Sequence, residues 1–129
     1  MADVRIDVLI DVKPRLGEAP LWDVASERLW FIDSLGDKLY RCTEDGRELA
    51  TWELPSHVGS MALDERGGAL LALIDGFHRL DLTTHECVPL VDPEPSNETN
   101  RLNDGKVDRV GRFVCGSMDM GEEQPNGSL

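Results

Sequence analysis

At 129 residues the chain has room for one domain at most, and 25 Asp and Glu against 13 Lys and Arg leave a formal charge of -12. So acidic a chain repels both the phosphate backbone and anionic lipid, which argues against nucleic acid and membranes as partners. Hydrophobic residues at 40% and charged residues at 29% are ordinary globular values, so disordered and fibrous classes are excluded as well.

The N-terminus carries Asp3 and Asp7 where a secretory signal would place basic residues ahead of a long apolar stretch. No apolar run approaches the ~20 residues that cross a bilayer, and the expected location is the cytoplasm. Val4 to Ile10 alternates apolar and polar side chains and predicts a lone strand over 4–10. After it come short apolar runs bounded by turn formers: Leu29-Trp30-Phe31-Ile32, Lys38 to Cys42, Thr51 to Leu54, Leu70 to Ile74 and Cys87 to Val91. Glu44-Asp45-Gly46, Glu65 to Gly68 and Asp108 to Gly111 supply the turns, because Gly and Asp tolerate positive φ. No segment sustains a 3.6-residue apolar period, which predicts an all-β chain.

Cys42, Cys87 and Cys115 form no C-x-x-C pair, and three is an odd number. Each sits in an apolar stretch, so buried reduced thiols are expected rather than disulfides or a thiolate zinc site. His57, His78 and His85 lack metal-ligand spacing and are expected at the surface or rim.

One phrase recurs. Leu21-Trp22-Asp23, Ala62-Leu63-Asp64 and Lys106-Val107-Asp108 are each followed by a tight turn and an apolar strand. The three Asp residues lie 41 and 44 positions apart, the length of one four-stranded propeller blade of ~40–45 residues. Each Asp is placed to cap the turn of an inner hairpin through its side chain. A sandwich would not need the same phrase at a fixed spacing. The chain therefore divides into a first blade over 17–57, a second over 58–99 and an incomplete third over 100–129, with 4–10 as a closing strand. Propellers close with ~4–8 blades, so about two and a half blades read as the N-terminal part of a longer protein.

Motif scanning finds no G-x-G-x-x-G, P-loop, G-x-S-x-G or H-E-x-x-H. Three polar stretches remain. In Leu16-Gly17-Glu18-Ala19-Pro20, small neighbours let the backbone pass close to a central channel, although Glu18 alone reads as an exposed loop acid. In Asn100-Arg101-Leu102-Asn103-Asp104-Gly105, Arg101 offers a fork for oxygen atoms, and Asn103 both donates and accepts. Asn103-Asp104-Gly105 is equally a strong turn former. Gly116 to Glu123 is acidic loop material after an apolar strand. Glu18 and the Arg101 segment both precede the first strand of a unit, so in a propeller they converge on one end of the axis.

LGEAPLWD, NRLNDGKVD and GRFVCGSMDMGEE together resemble the senescence marker protein 30/gluconolactonase family, from about Leu16 onward. The resemblance implies a six-bladed propeller with one divalent cation on its axis, calcium or zinc, with manganese or magnesium as further options. It implies that Glu18 is a metal ligand, that Arg101 and Asn103 hold the substrate's ring oxygens and hydroxyls, and that Glu122 or Glu123 contacts a sugar hydroxyl. It places the other ligands and the catalytic base beyond Leu129, so no catalytic residue is expected within these residues. The implied reaction is metal-dependent hydrolysis of a sugar lactone, which needs a Lewis acid, an activated water and contacts that fix a polyhydroxylated ring. A non-catalytic calcium-binding module and a phosphotriesterase-like hydrolase are the alternatives. The remaining blades, or a second chain, are the expected partners that close the ring.

Overall fold

The computed structural model describes residues 3–129 and contains strands, turns and loops, with no helix among the described residues. The first sheet is β1 (Gly17–Asp23), β2 (Arg28–Asp33), β3 (Lys38–Cys42) and β4 (Ala50–Glu53), antiparallel in chain order. The second repeats the plan with β5 (Val58–Leu63), β6 (Gly68–Leu73), β7 (Gly76–Asp81) and β8 (Cys87–Val91). β9 (Asn100–Val107) and β10 (Phe113–Asp119) pair as a hairpin. These are two four-stranded propeller blades and the inner hairpin of a third.

Each inner turn is closed by the repeated Asp. Asp23 accepts from the backbone N–H groups of Ala25 and Ser26. Asp64 accepts from Arg66 and Gly68, each at 2.8 Å, and Asp108 from Val110 and Arg112, each at 2.9 Å. An Asx turn satisfies donors that a tight turn leaves without ladder partners, which is why the residue recurs. In the last two turns the second carboxylate oxygen also takes a guanidinium N–H at 2.7 Å, from Arg79 and Arg112 respectively.

The core lies between the first two blades. Trp30, Ile32, Leu39, Trp52 and Leu54 of the first pack against Val58, Met61, Leu71, Leu73 and Leu80 of the second. Trp30 and Trp52 stack with ring centroids 5.4 Å apart, and the Trp52 indole N–H donates to the Leu82 carbonyl at 3.1 Å. The opposite face of the second blade carries the third hairpin through β5 and β9.

Three expectations change. Val4 to Ile10 forms no strand here; Val4, Ile6 and Val8 are more than four-fifths exposed, and a strand exists only in a ladder with a partner. His78 is buried rather than on the rim, because its alternate position on β7 faces inward; its Nδ1 lies 3.3 Å from the Gly76 carbonyl. All three cysteines are free, but only Cys42 is fully buried; Cys87 and Cys115 are half-buried.

Candidate functional site

The first strands of all three blades, β1, β5 and β9, begin at the same end of the axis. The ladders put Glu18 opposite Ile32, Val58 opposite Leu73 and Arg101 opposite Met118. Glu18 and Arg101 thus lie within strands rather than ahead of them, since pairing with β2 and β10 extends each strand further than the polar sequence indicated.

Glu18 sits at an irregularity. The register shifts between Glu18 and Leu21, and Ala19 adopts the left-handed region with φ 49°. A bulge of this kind bends a strand and re-aims its side chains. Glu18 is half-buried and shares a cleft of about 250 Å³ with Ala19, Pro20, Gly59, Asn103, Asp104 and Lys106.

A second bulge shapes the far wall of the cleft. Gly105 pairs with Cys115 and Leu102 with Ser117, which leaves Asn103 and Asp104 outside the ladder. Asn103-Asp104-Gly105, a turn former by composition, is therefore a bulged stretch of strand; the partner that overrides the turn preference is β10, twelve or so residues further on. Arg101, half-buried, donates from Nη1 to the Asn103 Oδ1 and to the Leu102 carbonyl, each at 3.2 Å. Its surroundings form a second hollow of about 170 Å³, lined among others by Asp75, Asp92, Glu94 and Asn100.

Glu122 and Glu123 are exposed, on the turn after β10 at the same end of the axis, and neither lines the cleft that Glu18 shares with Asn103. Asp119 holds that turn by accepting from the backbone N–H groups of Glu123 and Gln124. The Glu123 N–H, ahead of the Gln124 one, keeps the Asp119 carboxyl below the usual carboxylate range.

Asp33 has the same part in the first blade. It is 4% exposed and accepts from Arg15, Leu16 and Gly36 N–H groups at 2.9–3.0 Å, pinning the segment that leads into Glu18. Burial pushes its pKa up, but those N–H groups and the Arg15 charge outweigh it, so the carboxyl stays below the ordinary value. Asp33, Asp75 and Asp119 are 42 and 44 positions apart, a second aspartate period that the sequence carries beside the turn caps.

The donors lining the cleft, the carboxylates of Glu18 and Asp104, are hard oxygen ligands of the kind calcium and similar cations take. Among the described residues no three His, Cys, Asp or Glu side chains gather closely enough to hold a metal ion, so these residues fit a share of a cation site rather than a complete one.

The chain matches the family described as SMP-30/Gluconolactonase/LRE-like region over residues 16–129. It is 35% identical to L-arabinolactonase of Azospirillum brasilense over 92% of its own length and 39% of that protein's. It is 30% identical to regucalcin of Xenopus laevis over 92% of its length and 40% of the relative's. Among solved structures, regucalcin of Agrobacterium tumefaciens, described as a calcium-binding protein, superposes with a TM-score of 0.85 at 27% identity, covering 94% of this chain and 41% of that one. A luciferin-regenerating enzyme shares the fold with a TM-score of 0.80 at 23% identity, over 91% of this chain and 40% of that one. The chain thus spans about 40% of the length of the curated relatives it matches. With the family's match running from Leu16 through both bulged strands to Leu129, the chain belongs to the SMP-30/gluconolactonase/LRE-like family.

Proposed function

We propose that this chain supplies part of the active end of a propeller that hydrolyses a sugar lactone to the aldonic acid with the help of one divalent cation. The observation that carries the proposal is the cleft in which Glu18 of the first blade faces Asn103 of the third, with Arg101 bonded to Asn103. Two relatives support the chemistry by name, an L-arabinolactonase and a 6-deoxy-6-sulfogluconolactonase.

Glu18 holds the cation through its carboxylate, and ligands from other blades complete the site. When bound, calcium, zinc, manganese or magnesium supplies Lewis acidity to the lactone carbonyl and a more acidic water. Arg101 donates its planar fork to ring oxygens and hydroxyls, and the Asn103 carboxamide, oriented by Arg101, donates and accepts beside it. Glu122 or Glu123, on the turn after β10, accepts from a further hydroxyl. The base that activates water comes from outside these 129 residues.

A second reading, calcium binding without turnover, draws on the description of the Agrobacterium relative as a calcium-binding protein. The two are separated by following lactone opening with a pH indicator in the closed propeller containing this chain. Metal-dependent opening above the buffer rate supports hydrolysis. Calcium binding by calorimetry with no rate above buffer supports the binding module.

A further inference from the structure

We propose that Ser60 is a positioning residue of the lactone site: from the second blade it fixes the bulge of β9 and thereby the aim of the Asn103 carboxamide. The proposal rests on the functional reading above.

The bulge removes Asn103 from the β9–β10 ladder, so its carbonyl oxygen needs another donor. It receives two. The Ser60 hydroxyl, fully buried on β5, donates at 2.6 Å across the blade boundary. The Cys115 thiol on β10 reaches it at 3.4 Å, shares its one proton with the Gly116 carbonyl at 3.3 Å, and lies 3.6 Å from Ser60 Oγ. Burial pushes the Cys115 thiol up against the pull of the Ser60 and Asn103 contacts, which keeps the proton it donates. One carbonyl is thus held from the neighbouring blade and from its own.

The space for this arrangement is made by glycine. A Cβ at Gly59 would fall 2.5 Å from the Asn103 Cα and the Leu102 carbonyl oxygen, both backbone atoms. A Cβ at Gly105 would fall 2.8 Å from the Val114 carbonyl and 2.9 Å from Ser60 Oγ. Both distances are closer than real Cβ contacts allow, so β5 and β9 meet at this bulge only because both positions lack side chains. The same bulged residue carries the carboxamide that Arg101 orients, 3.2 Å from its Nη1. A backbone shift at Asn103 therefore moves both groups that are assigned to the lactone. The hydroxyl and the glycine contacts are separate observations that point to one function, fixing the backbone at Asn103.

The test compares Ser60→Ala, Ser60→Cys and Gly59→Ala with the parent, each in the closed propeller containing this chain. The readouts are the NMR signals of the Asn103 side-chain amide, thermal stability, and titration with D-glucono-1,5-lactam, a non-hydrolysable lactone isostere. Ser60→Ala is expected to shift or broaden the Asn103 amide pair, and to weaken lactam binding roughly tenfold, the scale that small misplacements cost. Its melting temperature should stay near the parent's, because the Cys115 thiol remains within reach of the carbonyl and can turn its proton from Gly116 to it. Ser60→Cys, which keeps a weaker donor, should fall between the two, and Gly59→Ala should shift the same Asn103 signals through β9. Unchanged Asn103 signals in both Ser60→Ala and Gly59→Ala would overturn the proposal. So would a loss of lactam affinity that only tracks a general loss of stability, with no effect centred on Asn103. If the parent itself binds no lactam, the lactone reading fails, and the Asn103 signals alone decide whether Ser60 positions that residue.

Discussion

Arg101 and Asn103 are bonded to each other, Nη1 to Oδ1 at 3.2 Å, from positions two apart on one face of β9. The guanidinium spends one N–H on the carboxamide and another contact on the Leu102 carbonyl, which leaves the rest of its fork free and fixes its plane. The two side chains are therefore coupled, and a change at one moves the other.

Arg101→Lys keeps the charge and loses the plane. Since β9 is a strand and no turn depends on Arg101, the melting temperature should hardly change. The kcat/KM for a sugar lactone, measured in the closed propeller, should fall about tenfold or more, the weight of a charge-assisted hydrogen bond. A large loss of stability with only a proportionate loss of activity would return Arg101 to a structural part.

Glu18→Gln preserves shape and removes the ligand charge that hard cations require. Calcium and zinc affinity should drop by roughly an order of magnitude or more, because ligand charge sets affinity for such ions. Calorimetry on the closed propeller checks this, and equal affinities in the two proteins would remove Glu18 from the cation site.

What the sequence made legible and what it hid follow from the range of the interactions. Asp23, Asp64 and Asp108 were readable because an Asx turn is settled within four residues by the Asp itself. Glu18 and Asn103 line one cleft, as the blade period implied for strand starts, while Arg101 lines a neighbouring hollow and reaches that cleft only through its hydrogen bond to Asn103. The state of Asn103-Asp104-Gly105 was hidden: local chemistry favours a turn, and β10, together with the Ser60 hydroxyl 43 residues away, decides for a bulged strand. Val-Gly-Ser-Met-Ala-Leu on β5 held a signal for that contact, a Gly-Ser pair inside an otherwise apolar inner strand. The burial of His78 was hidden because a histidine's polarity points to the surface, whereas the period-two alternation of β7 puts it on the inward face with Gly76 and Leu80.

The turn caps set an acid limit to stability. Burial raises the Asp64 pKa, but the Arg79 guanidinium and the N–H groups of Gly68 and Arg66 outweigh it, so the carboxyl lies below its ordinary 3.8. A folded pKa below the unfolded one means the cap stabilises fully above the unfolded value and is lost as pH falls through the folded value. Asp64→Asn, which keeps an acceptor but drops the ion pair with Arg79, should cost roughly 1–2 kcal/mol at neutral pH. Denaturant titrations of both proteins from pH 7 downward check the sign. The difference between them should persist to about pH 4 and shrink below it. A gap that widens toward acid would mean that Asp64 is not held ionised by its partners.

The last prediction concerns the third hairpin. β9 and β10 pack against the second blade on one side, while Val107 and Val114 remain 52% and 41% exposed. The outer edge of β10 takes the Ser128 carbonyl at the Ser117 N–H, 2.8 Å, and among the described residues no strand other than β9 pairs with β10. Open edges and wet apolar faces pair with other chains. The chain by itself is therefore expected to associate, with a second copy or with blades that close the ring, and to show no metal-dependent lactone opening, since on the proposed function other blades complete the cation site. Light scattering across a concentration series, combined with the pH-indicator assay, tests both halves. Val114→Lys places a charge on the uncovered hairpin and should shift the chain toward monomer without unfolding the first two blades, whose core lies elsewhere. A chain that stays monomeric at every concentration, folds cooperatively and opens the lactone by itself would show that the third hairpin needs no cover and that the site is complete without other blades.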